Sequence, residues 1–195
     1  MRKMLLALAC LGGMAAALPV AAQSLAPGVA ETMQSMREEE KLAHDVYLHF
    51  SGIYGGLAPG SRIFYHITES EQRHTEAVLG LLNLFGVEDP AVGLGPGEFA
   101  DDSLQELYYT LVNVGGTDYE AALGVGVLIE RKDITDILEA ITLSAAYPEI
   151  VKVYSNLLTG SEHHLEAFLK VLDNEDSAAS CNGAGNGRGK CGTGR

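Results

Sequence analysis

Tryptophan is absent from this 195-residue sequence, cysteine occurs three times, and 13 basic residues face 26 acidic ones. Each scarcity excludes something. Three cysteines in this length cannot form the framework of a disulfide-stapled miniprotein. A formal net charge of -13 repels polyanions, and no dense basic cluster overrides it, so a nucleic-acid partner is excluded. Strand signals are scarce. The cysteine spacing matches neither a zinc ribbon nor a rubredoxin-type iron centre, and no periodic repeat is present. What is there is a chain that is 47% hydrophobic, long enough for one sizeable core and too apolar for disorder throughout.

The two ends differ from the middle. Met1-Arg2-Lys3 precedes an apolar run from Met4 to Ala22 that closes on Val20-Ala21-Ala22, small residues of the kind a signal peptidase inspects. We expect a signal peptide over 1–22, cleavage before Gln23, and a mature protein that is periplasmic or secreted, with no stable membrane insertion after cleavage. A transmembrane anchor is the alternative, since the run is nearly long enough to span; Gly12, Gly13 and Pro19 weaken it. Loss of Arg2 and Lys3 takes the net charge from -13 to -15. From about Asp173 hydrophobic periodicity stops, and 173–195 reads as a flexible Gly-rich tail holding Cys181 and Cys191. Whether those two pair in an oxidising compartment is open.

Between the ends, over 23–172, apolar residues recur at helical spacing. The spacing predicts a first long helix over 31–50, with Met33, Met36, Ala43, Tyr47 and Phe50 on one stripe. A second runs over 62–85, with Phe64, Ile67, Val78, Leu82 and Phe85. A third starts at a Thr117-Asp118 cap and runs to about Ile141, with Leu123, Val127, Ile134, Ile137 and Ile141. A fourth follows Pro148, with Ile150, Val153, Leu157, Phe168 and Val171. A short connection joins the first pair and another the second. A long one, 86–116, separates the pairs and carries a short helix over 103–114. Short, long, short is the connectivity of an all-α, ferritin-like four-helix bundle with one crossover. An unrelated five-helix bundle fits the connectivity as well.

Ligand-type residues interrupt the apolar stripes. At about 100° per residue, Glu40 shares the face of Met33, Met36, Ala43 and Tyr47, while Glu71 and His74 share that of Phe64, Ile67 and Val78. Glu130 sits within the third stripe with Asp133 flanking it one turn on, and His164 lies between Leu157 and Phe168. Buried carboxylates without partners are costly, so such a cluster needs compensating charge. Glu40, Glu71, Glu130 and Asp133 contribute -4, which two divalent cations balance, and neutral imidazoles can ligate as well. Glu-x-x-His, here Glu71-Gln72-Arg73-His74, places both ligands on one helical face. That motif alone is weak; an in-stripe ligand on each of four helices is much stronger.

These residues also resemble a known family. The segments Met36 to Tyr47, Glu69 to His74, Gly126 to Asp133 and Asn156 to His164 are similar, in order, to the proteins grouped as domain of unknown function 2202, over about 35–172. That family is related to the rubrerythrin and erythrin branch of carboxylate-bridged di-iron proteins. The resemblance implies a ferritin-like bundle and two iron ions, with manganese or zinc as alternatives. The implied ligands are Glu40, Glu71, His74, Glu130, Asp133 and His164. One position departs from the usual pattern. Ser161 stands where the common motif has Glu, three residues before His164, and Glu162 projects almost opposite His164.

The remaining polar residues have blander assignments. Glu38 and Glu39 are expected to be solvated or paired with Lys41 and its neighbours. Glu69, Glu76, Glu162 and Glu166 read as solvent-facing, and His49, His66 and His163 as flank residues. His44 fits either a support for the site or the surface. Tyr47 reads as core packing. The leading functional expectation is an exported di-iron oxidoreductase acting on oxygen or peroxide and fed by a separate electron donor; a homodimer is compatible with the pattern. The alternatives are a non-catalytic iron, manganese or zinc binder or sensor in the cell envelope, and a metal-free acidic scaffold.

Overall fold

The protein is described here by a computed structural model over residues 24–56 and 62–183, the side chains of 175–183 excepted. The expected signal peptide and Cys191 lie outside the described residues, as does the side chain of Cys181. Five helices and no strands make up the described residues: α1 (Val29–Tyr54), α2 (Ile63–Phe85), α3 (Asp102–Gly115), α4 (Tyr119–Leu143) and α5 (Pro148–Gly183). None of them is long and apolar enough to cross a membrane.

Local chemistry explains the boundaries. The Asp118 side chain accepts from Ala121 N–H and starts α4, as the Thr117-Asp118 pair predicts, while Asp101 caps α3 by accepting from Ser103 and Leu104 N–H. Pro148 opens α5, where its missing N–H costs nothing. Gly86, in the left-handed region at φ 69°, stops α2 and returns its N–H to the Leu82 carbonyl. Two ends extend past expectation. α1 continues to Tyr54, which is buried and donates its hydroxyl to the Gly115 carbonyl at 2.6 Å. α5 continues through Asp173 to Gly183, into the segment read as tail.

The helices enclose two apolar cores. In one, Val29, Met33 and Met36 of α1 meet Val78, Leu81 and Leu82 of α2, Ile137 of α4, and Ile150, Tyr154 and Leu157 of α5. In the other, Val46, Tyr47 and Phe50 of α1 meet Phe64 and Ile67 of α2, Leu123 of α4 and Phe168 of α5. The start of α1 thus lies beside the ends of α2 and α4 and the start of α5. α1 and α5 run one way, α2 and α4 the other. α1 packs on α2, α4 on α5, α1 on α4 and α2 on α5, which leaves α1–α5 and α2–α4 as the diagonals. Parallel α2 and α4 require the long crossover, and its helix α3 lies outside the four, against α1 and α4.

That outer helix shifts the face that α4 buries. Val125 and Ile129 are buried with Leu104 and Leu111 of α3, whereas the expected Val127, Ile134 and Ile141 are only half-buried. α1 departs from expectation on its polar side too. Glu38 is buried and accepts from Ala100 and Asp101 N–H at 2.6 and 3.3 Å. Lys41 donates to Asp45 and to the Gly95 carbonyl, not to Glu38 or Glu39, and buried Asp45 accepts from Gly97 N–H at 2.8 Å. Arg37 pairs with Asp89 at 3.3 Å. Glu38, expected to be solvated, is therefore one of the anchors of the crossover, together with Arg37, Lys41 and Asp45. Of the three backbone donors they receive, that of buried Gly97 would otherwise lack a partner.

α4 and α5 approach closely at Gly126, where a Cβ would lie 2.7 Å from the Phe168 ring. Gly126→Ala gains helix propensity of roughly 1 kcal/mol but forces Phe168 out of a packed aromatic cluster, an overpacking cost of about 1–3 kcal/mol. A net loss of stability is expected in chemical denaturation, and a gain would show that the ring relocates freely.

Candidate metal centre

The two apolar cores are separated by a polar layer that draws one or two residues from each long helix. Glu40 comes from α1, Glu71 and His74 from α2, Glu130 and Asp133 from α4, and Ser161 and His164 from α5; all are buried. Five of the six expected ligands form two overlapping groups, Glu40–Glu71–His74 and Glu71–Glu130–His164. Within each group one donor atom per residue lies within 4.8 Å of the others. Glu71 belongs to both. Its Oε2 is 2.9 Å from His74 Nδ1 and its Oε1 is 2.7 Å from His164 Nδ1. Glu40 Oε2 lies 3.2 Å from His74 Nδ1, and Glu130 Oε1 lies 3.6 Å from His164 Nδ1. The sixth residue, Asp133, is buried in the layer but stands outside both groups.

These separations fit cis ligands around a common ion. Two metal bonds of about 2.1 Å at a right angle put their donor atoms roughly 3.0 Å apart. The hydrogen-bond accounting points the same way. Both oxygens of Glu71, Oε1 of Glu40, Oε2 of Glu130 and Nδ1 of His164 make no well-directed hydrogen bond despite their burial. Such atoms are rare in folded proteins and call for a partner of another kind. The residues present could therefore hold a metal ion.

Electrostatics shows what the layer does without such ions. Burial pushes Glu40, Glu130 and Asp133 up, the neighbouring Glu71 adding to each shift. Glu71 is itself buried, yet the imidazoles of His164 and His74 outweigh that and hold its carboxyl below the usual range. Burial works against charge on the histidines, but their carboxylate neighbours prevail and raise His74 to about 10 and His164 to about 9. The metal-free layer thus stores protons on groups that a metal requires deprotonated.

Residues around the layer hold it in place. The Tyr47 hydroxyl donates to Glu130 Oε1 at 2.7 Å while its ring packs against Phe64 and Phe168, so this tyrosine orients a carboxylate as well as filling the core. Burial and the adjacent Glu130 raise Tyr47 well above its ordinary value, which keeps it a donor. Gly160 was not legible as part of the site. A Cβ there would lie 2.5 Å from His74 Nε2, so only glycine lets this imidazole lie against α5. Its signal was a glycine in mid-helix, which costs about 1 kcal/mol relative to alanine and needs a reason. Ser161 is buried with its hydroxyl lacking a hydrogen bond, and Glu162 faces solvent, as expected. His49, His66, His163, Glu69, Glu76 and Glu166 are exposed. His44 lies outside the layer, its Nδ1 2.8 Å from Asp45 Oδ1.

Two outcomes follow for the purified protein. His74 and His164 are raised above their ordinary value of 6.5, so their stabilising effect is complete below that pH and is lost as pH rises through about 9 and 10. Glu40 and Glu130, also raised, add loss in the same direction once pH exceeds the ordinary carboxyl range. The melting temperature of chelator-treated protein should therefore fall from pH 5 to pH 9, while Zn(II) affinity rises over the same interval; a flat metal-free profile would contradict the proton inventory. Separately, Gly160→Ala should displace His74 and lower Zn(II) affinity by at least about tenfold, measured by competition with a chromophoric chelator, although alanine favours the helix.

Comparison with known proteins agrees with this architecture. Residues 30–181 match the family model described as "Uncharacterized protein domain (DUF2202)". An uncharacterised protein from Methanocaldococcus jannaschii, MJ0754, is 40% identical over 147 residues, 75% of this chain and 76% of that protein. The crystal structure of hypothetical protein MJ0754 from Methanococcus jannaschii superposes with a TM-score of 0.74 at 38% identity, covering 79% of this chain and 85% of the other. With well over half of its length inside the match, the chain belongs to the DUF2202 family.

Proposed function

We propose that this protein is an exported, ferritin-like metal protein that holds two iron ions and reacts with oxygen or peroxide. The observation that carries this reading is Glu71, whose two buried oxygens each face a different histidine and have no hydrogen bond of their own. Glu40 and His74 would complete one ion's protein ligands, and Glu130 and His164 the other's. Bound there, iron supplies reversible one-electron chemistry toward oxygen or peroxide. The chain's own part is to aim the five donors, with Tyr47 fixing Glu130, and to exclude water through the two apolar cores. Parallel α2 and α4 joined by a long crossover support the ferritin-like assignment. Export is supported by residues 1–22. No Cys-x-x-Cys centre is present in the sequence, so a separate donor supplies electrons.

A second reading, a non-catalytic metal binder in the cell envelope, draws on Ser161. At this buried position a carboxylate would have given the second ion a further ligand, and the serine leaves each ion with three protein donors, one of them shared.

Metal stoichiometry separates shared from private ligands. Wild-type protein loaded anaerobically with Fe(II) should carry two ions by plasma mass spectrometry. Glu71→Ala should lose both, Glu40→Ala one, and Glu162→Gln on the exposed face of α5 neither. Two ions retained in Glu71→Ala would remove the basis for the proposal. Oxygen-dependent growth of the near-ultraviolet absorption of a ferric pair distinguishes the redox reading from the non-catalytic one.

A further inference from the structure

A groove of about 700 Å³ runs between the first half of α1, the crossover and the start of α3. It is distinct from the apolar cavity of about 330 Å³ under α3 that reaches Asp133, with which it shares only Glu39, Leu107 and Lys132. Four carboxylates line it, from Glu31, Glu38, Glu39 and Asp101, against one cation, Lys132. Lys132 is already paired, with Glu39 at 2.8 Å and with Asp136. Glu31, Glu38 and Asp101 form no ion pair with any described residue. Glu38 is the unusual member. It is only 5% exposed, and its Oε1 alone accepts from both Ala100 and Asp101 N–H. Oε2 makes no hydrogen bond, yet it is not among the oxygens sealed from solvent, so it opens onto the groove that Glu38 lines. A carboxylate buried to this extent calls for a counter-charge.

We propose that this groove binds an aliphatic polyamine, with its ammonium groups on Glu38, Glu31 and Asp101 and its methylenes along Pro90, Leu104 and Leu107. The apolar side chains recognise the stem by burial of its methylenes, and the carboxylates recognise the charges at its ends. A bare metal ion does not fit. Three donor atoms within 4.8 Å of one another occur, among the described residues, only in the metal layer, so the groove's carboxylates are too dispersed to share one ion. Glu31 and Glu38 stand two turns apart on one face of α1, a rise of about 10 Å, which suits charges separated by methylenes. An anion is disfavoured as well. The carboxylates repel it, and the Ser103 and Leu104 N–H groups that open α3 are already taken by Asp101 Oδ1. Asp101 Oδ2 accepts no hydrogen bond and remains for the ligand. None of the lining residues is one of the five grouped donors, so the site stands apart from the metal reading.

Spermidine titrated into the full-length protein at about 0.15 M ionic strength, followed by calorimetry and by backbone amide shifts in nuclear magnetic resonance, tests this directly. Saturable one-to-one binding is expected, with the largest shifts over residues 31–39 and 100–107, the N–H groups of Ala100 and Asp101 among them. Glu38→Gln keeps an acceptor oxygen for those two groups while removing the charge, and should weaken spermidine about tenfold. Glu31→Gln, at an exposed position, should weaken it about threefold. Glu162→Gln, on the exposed face of α5, removes the same charge elsewhere and should leave the affinity unchanged. Equimolar Mg(II) should not displace spermidine, and the fully acetylated, uncharged amine should not bind. Absence of saturation, shifts centred elsewhere, displacement by equimolar Mg(II), an equal loss in Glu162→Gln, or full affinity in a folded Glu38→Gln protein would overturn the proposal. The shifts in the unaltered protein decide the matter even where a variant does not fold. Loss of metal binding with spermidine binding intact would count only against the metal reading, and the converse only against this one.

Discussion

Four carboxylates buried in the middle of an apolar bundle must be neutralised, and much of this architecture follows from that requirement. Glu40, Glu71, Glu130 and Asp133 lie between two hydrophobic cores, where an unpaired charge costs several kcal/mol even after relaxation. Without metal, His74 and His164 take up protons and the outer carboxyls hold theirs, so the layer is tolerable but loaded with protons. Two divalent ions would replace that proton inventory with a matching charge on the same donor atoms. The cores on either side keep water away and make the compensation necessary.

The crossover is the second structural debt of the fold. Running α2 and α4 parallel forces the chain to travel the length of the bundle between them. That length of backbone is held down by Arg37, Glu38, Lys41 and Asp45 on the outer side of α1. The same helix therefore presents Glu40 inward and a row of anchors outward. With the crossover pinned, α3 lies across α1 and α4, widens the buried face of α4, and roofs the cavity that reaches Asp133. A metal layer and a separate apolar cavity end up as neighbours because one crossover helix covers the seam between two others.

Particular residues show how far the chain could be read beforehand. Glu40, Glu71, His74, Glu130 and His164 stood out because each interrupts an apolar stripe, and a stripe is a local property set by about 100° per residue. The Asp118 cap and Pro148 were legible for the same reason, since capping chemistry involves only adjacent residues. The role of Glu38 was not legible. It reads as a solvated or surface-paired charge, and nothing nearby in sequence reveals that residues 95–101 come back to cover it and Asp45. Gly160 showed only as a costly glycine in mid-helix, and its partner could not be read, because the His74 ring belongs to a helix more than eighty positions earlier.

The sequence by itself determined the helices, the residues sharing a face on each, and the position of a ligand-type side chain near the middle of every long one. Those properties depend on backbone geometry over a few turns. Only the tertiary structure decided how the faces meet. It made Glu71 common to both groups, set Asp133 outside them and against a cavity, brought Tyr47 to Glu130, and buried Ser161 without a hydrogen bond for its hydroxyl. The physical reason is that the rotation and depth of one helix against another follow from packing over whole surfaces. A shift of a few ångströms there, invisible in any single helix, decides which two oxygens can reach the same point.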